Sequence, residues 1–547
     1  MGNMKFSPYD QVMRRIKAAE GNKELWNPII RECYTFSIPE RNTIDKWSPG
    51  AQKNHAFDAT AIDSLSDYAN RMESQLVPPG LQWMRLEAGS DFDSNNPKEE
   101  AELKTQQQEV DKYLDSTTNV LFNHINSSNF SSQIHEAFLD LGISTGAIIV
   151  EPGDGIQSNL NFRSVSLSEI IIERTQKGIV DTVWRSITLQ AGDIKKTWPN
   201  AKLSPKLKKL IKDKPAEDIS FYEGVMLNEN AGFSNNRYES IVMYPDEKKF
   251  LVQQYLESSP WIVFRESTIP GESYGRGRVM RCLPDIKTLN KMTEDYLKGL
   301  NFQANPIFTA TDDGIINPYT FKLKTGTVNP VGSNDNQNPS LRQMPVTGNI
   351  QLLEFAMRGL QDNIRRTLLS KPFGSIEETP VRTATEMSIR NADQQQVISG
   401  ATGRIQVELL ERVVKRSVYI LKQAGKIADF KIDGKEVKIK YTSPAARGQD
   451  EQELAVIGRF MEFMGMFPPE IVNEKIKVEE MPAAIADVMG LPKSLQRSDF
   501  EIQTMKQEQQ AQQQAMMQAQ QAQIQSEVDN KDSQTQKNVA ETQQIKA

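Results

Sequence analysis

A chain of 547 residues exceeds the size at which one hydrophobic core keeps growing, so roughly two to four packed regions are expected. Hydrophobic residues at 38%, charged residues at 25% and a mean hydropathy of -0.54 describe a soluble globular chain, and no apolar run of about 18 residues offers a membrane span. A net charge of -6 and a pI near 5.6 exclude a protein that grips nucleic acid over its whole surface, so any DNA contact is expected to be local or loose.

The first residues, Met1 to Asp10, lack the charged-then-apolar layout of a signal peptide, and folding in a cytoplasm is the expectation. Asp58 and Thr60 precede Ala61, Leu65, Tyr68, Met72 and Leu76, which share one helical face, and Pro78, Pro79 and Gly80 stop that helix. A strand over Trp83–Ala88, helices over Lys98–Asn123 and Phe130–Leu141, and a buried strand over Gly146–Val150 follow. From Glu151 to Phe264 the texture turns β-rich, with strands over Ser168–Arg174 and Val180–Thr188 and a short helix over Ala191–Trp198.

Two amphipathic helices come next. Ile286, Leu289, Thr293, Tyr296, Leu297 and Leu300 share a face in a helix read as starting near Pro284, and Ile350, Leu353, Met357, Leu360, Ile364 and Leu368 repeat the pattern. Between them lies a proline-rich stretch in which Tyr319, Phe321 and Leu323 alternate with Thr320, Lys322 and Lys324, as in a strand. After a loop from Ser370 to Pro380, Thr383 and Glu386 form a capping box opening a long helix that ends near Ala424 and Gly425, with a kink expected at Gly400 and Gly403. Strand-like runs over Phe430–Ile432 and Val437–Tyr441 precede further helices. Beyond Phe500 there is no Gly, Pro or aromatic residue and 16 residues are Gln, so this tail reads as a disordered appendage or, between adjacent copies, a helical association through Met505, Met516, Met517 and Ile524.

Little here is catalytic. His55, His124 and His135 form no zinc pair, Cys33 and Cys282 read as buried small hydrophobes, and no G-x-x-x-x-G-K-[ST] or G-x-S-x-G motif occurs. Gly275-Arg-Gly-Arg278 reads either as a phosphate-cradling turn or as a tight turn before a helix. Arg365, Arg366, Lys371, Arg382 and Arg390 gather around the Ser370–Pro380 loop, where a DNA-facing role and solvated positive helix ends explain them equally. Asp312 and Asp313 would serve a metal-dependent nucleic-acid-processing enzyme, although a turn before Gly314 explains them better, and a scaffold or adaptor acting through the Gln tail is a third reading.

Several segments, in order, carry a family resemblance: Tyr68-Ala-Asn-Arg-Met-Glu-Ser-Gln-Leu76 with Val77-Pro-Pro-Gly-Leu-Gln-Trp83, Gly142-Ile-Ser-Thr-Gly-Ala-Ile-Ile-Val150, Gly271-Glu-Ser-Tyr-Gly-Arg-Gly-Arg278, Leu283-Pro-Asp-Ile-Lys-Thr-Leu-Asn290 and Thr383-Ala-Thr-Glu-Met-Ser-Ile-Arg390. With a helix pair around a β-tip, they resemble the head-to-tail connector (portal) proteins of short-tailed bacteriophages over most of residues 1 to 500. The resemblance implies an α+β portal fold with a mainly helical stem and crown, a mixed α/β wing and a small β-containing clip, closed into a cyclic ring of roughly twelve copies.

On that pattern the wing spans 1–283, stem helix 1 284–303, the clip 304–348, stem helix 2 349–370, a channel loop 371–382, a long kinked wing helix with strands 383–442, the crown 443–500 and the Gln-rich tail, a helical barrel or disordered, 501–547. It implies stem packing through Ile286, Leu289, Leu297, Ile350, Leu353, Met357 and Ile364, DNA-channel positions at Arg365, Arg366, Lys371, Arg382 and Arg390, and partner contacts at Phe321, Lys322 and Lys324 of the clip. The implied role is a virion conduit for genome packaging and ejection. Its partners are further copies of itself, double-stranded DNA, the terminase large subunit, capsid and scaffolding proteins and tail adaptor or tail tube proteins. No enzyme activity, metal, cofactor or membrane is implied. A net-acidic wall would mostly repel phosphate, so DNA could slide without sticking.

Overall fold

The computed structural model describes residues 8–41, 56–89, 97–175, 178–228, 237–305, 307–310, 331–333, 335–337, 339, 341–343, 350–370, 403–428, 430, 437–444, 446, 457–464 and 481–488, with single positions and short runs between 505 and 538. The expected clip strand, Asp312, Asp313, the Thr383 capping box, Gly400 and residues 431–432 lie outside the described residues. The chain divides into two compact units. One comprises Met1–Trp83, Leu121–Ala428 and Ser443–Gly448; the other comprises Met84–Val120, Asp429–Thr442 and Gln449–Ala547.

Helices α1 (Pro8–Glu24), α2 (Asn27–Ser37) and α3 (Thr60–Leu76) lead to strand β1 (Met84–Ala88), helices α4 (Pro97–Asn126) and α5 (Phe130–Ile143), and strands β2 (Thr145–Pro152), β3 (Leu160–Ser164), β4 (Ile170–Arg174) and β5 (Val180–Gln190). Short helices α6 (Ile194–Thr197) and α7 (Pro205–Asp213) precede β6 (Asp218–Leu227), β7 (Tyr238–Tyr244), β8 (Lys249–Leu256) and β9 (Trp261–Arg265). Then come α8 (Arg278–Ala304), β10 (Phe308–Ala310), β11 (Leu341–Gln343), α9 (Ile350–Thr367), a π-helical turn at Gln406–Leu410 running into α10 (Glu411–Gln423), β12 (Val437–Tyr441) and α11 (Met481–Val488). Helices and antiparallel sheets make this an α+β fold. Among the described residues no helix is long and apolar enough to cross a membrane.

In the first unit a five-stranded antiparallel sheet runs β4-β5-β6-β7-β8. Successive side chains point to opposite faces of a strand, and both faces of this sheet are covered. Ile241 and Met243 of β7 join Ile171 and Trp184 beneath Tyr9, Val12, Ile16 and Ala19 of α1. The intervening Val242 and Tyr244 turn the other way, joining Ile219, Phe221 and Leu251 beneath Ile194 and Leu207 of the α6–α7 segment. Helix α7 opens on Ser204, whose Oγ accepts the Leu207 amide at 3.1 Å, with Pro205 at the first helical position, where its missing N–H costs nothing.

A second sheet, β3-β2-β9, explains the unbroken apolar run at Gly146–Val150. Every residue of β2 from Thr145 to Val150 is buried, with α5 packed against it, so no alternation is called for. A side chain at Gly146 would place its Cβ 2.5 Å from the Phe264 ring across the ladder. Helix α3 packs on α5 through the predicted stripe, with Ala61, Leu65, Tyr68, Met72 and Leu76 all buried, and Gly80 supplies the positive φ of +75° after Pro78 and Pro79.

Several charged groups buried in this unit are partnered. Asp140 on α5 accepts from Tyr34 Oη at 2.7 Å and faces Arg41 at 3.6 Å, while burial pushes its carboxyl above the usual range. Arg265 at the end of β9 donates to both carboxylate oxygens of Glu408 in the π turn, at 2.6 Å in the shorter bond, and to the Ser273 and Gly178 carbonyls at 3.0 Å. This π turn, at Gln406–Leu410, brings Glu408 to Arg265. Arg416 on α10 has carbonyl partners instead, Val150 and Ser258, and burial lowers its pKa to about 10. Cys33 and Cys282 are both buried free thiols, pushed up to about 12 by desolvation, as small hydrophobes rather than reactive groups would be.

In the second unit β1 pairs antiparallel with β12, from Met84 opposite Tyr441 to Ala88 opposite Val437. Helix α4 fixes the other edge of β1: the Ala88 and Leu86 amides donate to Asp111 Oδ1 at 2.7 Å and Thr118 Oγ1 at 3.2 Å. Glu408→Gln weakens one partner of a nearly dry ion pair and should lower stability by about 3 kcal/mol, near the low end for breaking such pairs. Thermal unfolding at fixed protein concentration, compared with Arg265→Met/Glu408→Met, checks this: the double variant should lose less than the single one.

Candidate functional site: the helix pair and its base

Helices α8 and α9 run antiparallel, because the last turn of α9 meets the first turn of α8. Arg278 Nη1 donates to the Thr367 carbonyl at 3.2 Å and Asn363 Nδ2 to Asp285 Oδ2 at 2.5 Å. Contrary to the reading that started this helix near Pro284, α8 begins six residues earlier, at Arg278 after the N-cap Gly277, and contains Pro284. Proline at a helix start is common, which made residue 284 look like one. Inside the helix it removes the bond from residue 284 to the Met280 carbonyl and its ring crowds that carbonyl, while the burial of Val279, Met280, Cys282 and Leu283 holds the preceding turns.

The turn before α8 is a fastener. Its three consecutive amides all have internal acceptors: Gly275 to Thr145 Oγ1 at 2.9 Å, Arg276 to the Ser267 carbonyl at 2.9 Å and Gly277 to the Ile143 carbonyl at 3.1 Å. No amide of the three is left to cradle a phosphate, so the tight-turn reading holds. A Cβ on Gly277 would sit 2.3 Å from the Gly142 carbonyl and one on Gly275 2.5 Å from that of Ser144. Glycine is thus required at both positions by close backbone approach.

Around this fastener sits a buried polar group joining three distant parts of the chain. Arg278 Nε donates to Glu266 Oε1 at 2.6 Å, and its guanidinium lies 6.0 Å from the centre of the Tyr68 ring. Tyr68 Oη donates to the other Glu266 oxygen at 3.0 Å, and burial holds its phenol well above the ordinary value. Further links at the base are Gln361 to Asp58 at 2.9 Å, the Phe57 amide to Asn290 at 2.6 Å, Lys287 to Glu32 at 3.1 Å and Ser370 to Asp67. Two residues past the end of α9, Leu369 takes φ +59°, where glycine is usual; the strain is offset by the near-complete burial of that leucine.

Packing along the pair is graded. Ile286, Leu289 and Ile364, all near the base, are buried, and Leu353 and Met357 are half-buried. Leu297, expected to pack, is 48% exposed, and the side chain of Ile350 lies outside the described residues. Leu352 and Phe355, which sequence reading did not single out, are 64% and 77% exposed on a face of α9 different from the Leu353–Met357–Ile364 stripe. Nothing in the sequence separates a buried from an uncovered apolar residue on one amphipathic helix. Arg365 and Arg366 are exposed in the last turn of α9, Arg365 reaching Asp362 only at 3.9 Å. Lys371, Arg382, Arg390, Phe321, Lys322 and Lys324 lie outside the described residues. Among the described residues no group of three or more His, Cys, Asp and Glu could hold a metal ion.

The model of the bacteriophage head to tail connecting protein family matches residues 9–496. The chain belongs to that family. It is similar to the portal protein of Escherichia phage T7, 22% identical over 307 residues covering 54% of this chain and 53% of that protein. It is also similar to the portal protein of Enterobacteria phage T3, 22% identical over 328 residues covering 58% of this chain and 56% of that one. The chain therefore spans about half the length of the curated relatives it matches. Within this connector-family chain, two of the segments that carry the resemblance, Gly142–Val150 and Gly271–Arg278, turn out to be the two sides of the fastener.

Gly277→Ala should destabilise by about 1–3 kcal/mol through overpacking against backbone that has no side chain to swing away. A matched Gly299→Ala change, in open space on α8, should not. Thermal unfolding of both variants reads the difference.

Proposed function

We propose that this chain is a portal subunit: a structural, non-enzymatic component that closes with roughly eleven further copies into a cyclic ring at one capsid vertex. The ring would be the conduit for DNA entry and exit and the platform for the terminase large subunit, capsid and scaffolding proteins, and tail adaptor or tail tube proteins. In this reading residues 1–283 form the wing, 284–303 and 349–370 the stem, 304–348 the clip, 371–382 a channel loop, 383–442 the long wing helix with its strands, 443–500 the crown and 501–547 the tail. The single observation that carries it, beyond family membership, is the grading of the helix pair. The pair is locked at its base, while Leu297, Leu352 and Phe355 are uncovered towards its far end. A lone chain gains nothing by presenting a phenylalanine that is 77% exposed; a neighbouring copy covering it would gain apolar burial. Arg365 and Arg366, with Lys371, Arg382 and Arg390, are the proposed contacts to passing DNA, and Phe321, Lys322 and Lys324 those to motor or tail proteins.

Electron microscopy of the purified full chain should show rings with a central hole, and a compact monomer at high concentration would sink the reading. Phe355→Asp should raise the concentration needed for rings about 30-fold, the scale of a lost hot spot of ~2 kcal/mol, by sedimentation velocity. Lys371→Ala/Arg382→Ala should leave rings intact and reduce DNA retention in packaged particles; unchanged retention removes the channel role of that loop.

A further inference from the structure

We propose that the lysine-rich segment covering one face of the five-stranded sheet is a docking surface for the phosphate backbone of duplex DNA, separate from the helix pair. Residues 193–214 hold eight lysines against two aspartates, a local charge of +6 in a chain whose total is -6. The apolar side of this segment is used up. Ile194 and Leu207 are buried against the sheet, Leu210 and Ile211 pack partly against it, and Trp198 stacks edge-on to Phe221 at 5.3 Å. The Ser204 cap and Pro205 fix where α7 starts and hence which way its lysines face.

Every lysine of the segment is exposed. Lys196 pairs with Asp193 at 2.7 Å and Lys214 with Glu217 at 3.3 Å. Lys195, Lys202, Lys208, Lys209 and Lys212 form no ion pair among the described residues, and Lys206 acts on Glu247 electrostatically without forming one. Lys208 and Lys212 are four apart on α7, and Lys206, Lys209 and Lys212 three apart, so these like charges lie side by side and repel. An anion laid across them removes that repulsion.

The chemistry of the patch selects the anion. Protein interfaces are anchored by aromatic residues, Met and Arg, and are poor in Lys. Between residues 191 and 217 there is no arginine, and among the described residues no large apolar side chain there is exposed. Phosphate contact needs only point charges, which Lys supplies. Over the ~9 Å from Lys206 to Lys212 a duplex presents about five phosphate charges. Naming DNA rather than another polyphosphate rests on the portal reading.

Fluorescence anisotropy of a labelled DNA duplex titrated with the full chain over a salt series tests this. Lys208→Gln/Lys209→Gln/Lys212→Gln should weaken binding at least about tenfold at low salt and flatten the log–log salt slope by about three. The equal-charge control Lys17→Gln/Lys112→Gln/Lys426→Gln should do neither. Equal loss in both triple variants, or no loss in the first, overturns the proposal. So does a polyglutamate probe that binds through the three lysines more tightly than the duplex does. Sedimentation of the same samples keeps the two ideas apart, since absent rings with lysine-dependent duplex binding would defeat the portal reading alone.

Discussion

The backbone at Gly277 passes so close to the Gly142 carbonyl that no side chain fits between them, and that approach fixes where α8 leaves the body of its unit. The start of a long helix sets the direction of the rest of it. Two further glycine-dependent contacts, at Gly146 and Gly275, hold β2, β9 and the turn in one layer. The Tyr68–Glu266–Arg278 group then closes the junction in a site where an unpaired charge would be expensive. Because Arg278 also reaches the Thr367 carbonyl, the same group ties the end of α9 to the start of α8. The helix pair is rigid at one end for this reason.

Electrostatics in this unit follow two regimes. Inside, Arg265–Glu408 and Arg278–Glu266 are short, desolvated and tied to further hydrogen-bond partners, so they specify geometry more than they add net stability. On α8 and α9, pairs such as Lys291–Glu294 and Glu354–Arg358 are exposed and single-turn, of little energetic weight, and serve to keep the polar faces wet. The lysines of α7 fit neither regime, being exposed and forming no ion pair among the described residues.

Much of the architecture was legible from period alone. The stripe from Ala61 to Leu76, the apolar run at Gly146–Val150 and the strand at Val437–Tyr441 each sit where the residues alone put them, because burial on one or both faces leaves a direct mark on spacing. Pro284 misled because proline carries the same signal at a helix start as inside a helix whose flanks are well packed. The junction was illegible for a different reason. Tyr68 and Thr367 are far in sequence from each other and from the Glu266–Arg278 pair, and no local pattern marks which polar residues will meet. Phe355 was missed because it lies off the Ile350–Leu368 stripe, and spacing marks only the face that packs.

The pairing of β1 with β12 has a consequence for synthesis. Leu86 emerges from the ribosome long before its ladder partner Ile439, and at ordinary elongation rates the interval is on the order of tens of seconds. Closing so long a loop adds little free energy beyond closing a moderate one, since the entropic term grows only with the logarithm of length. The delay matters more than the free energy. Throughout it one edge of β1 is held by α4 through Asp111 and Thr118 while the other waits unpaired, a template for any other nascent copy of the same strand. Arg85, close to Asp115, and Glu87 alternate with the buried residues of β1 and put charge on that strand, so a nascent chain carries its own safeguard against premature pairing until Lys438 and Lys440 arrive to meet Glu87.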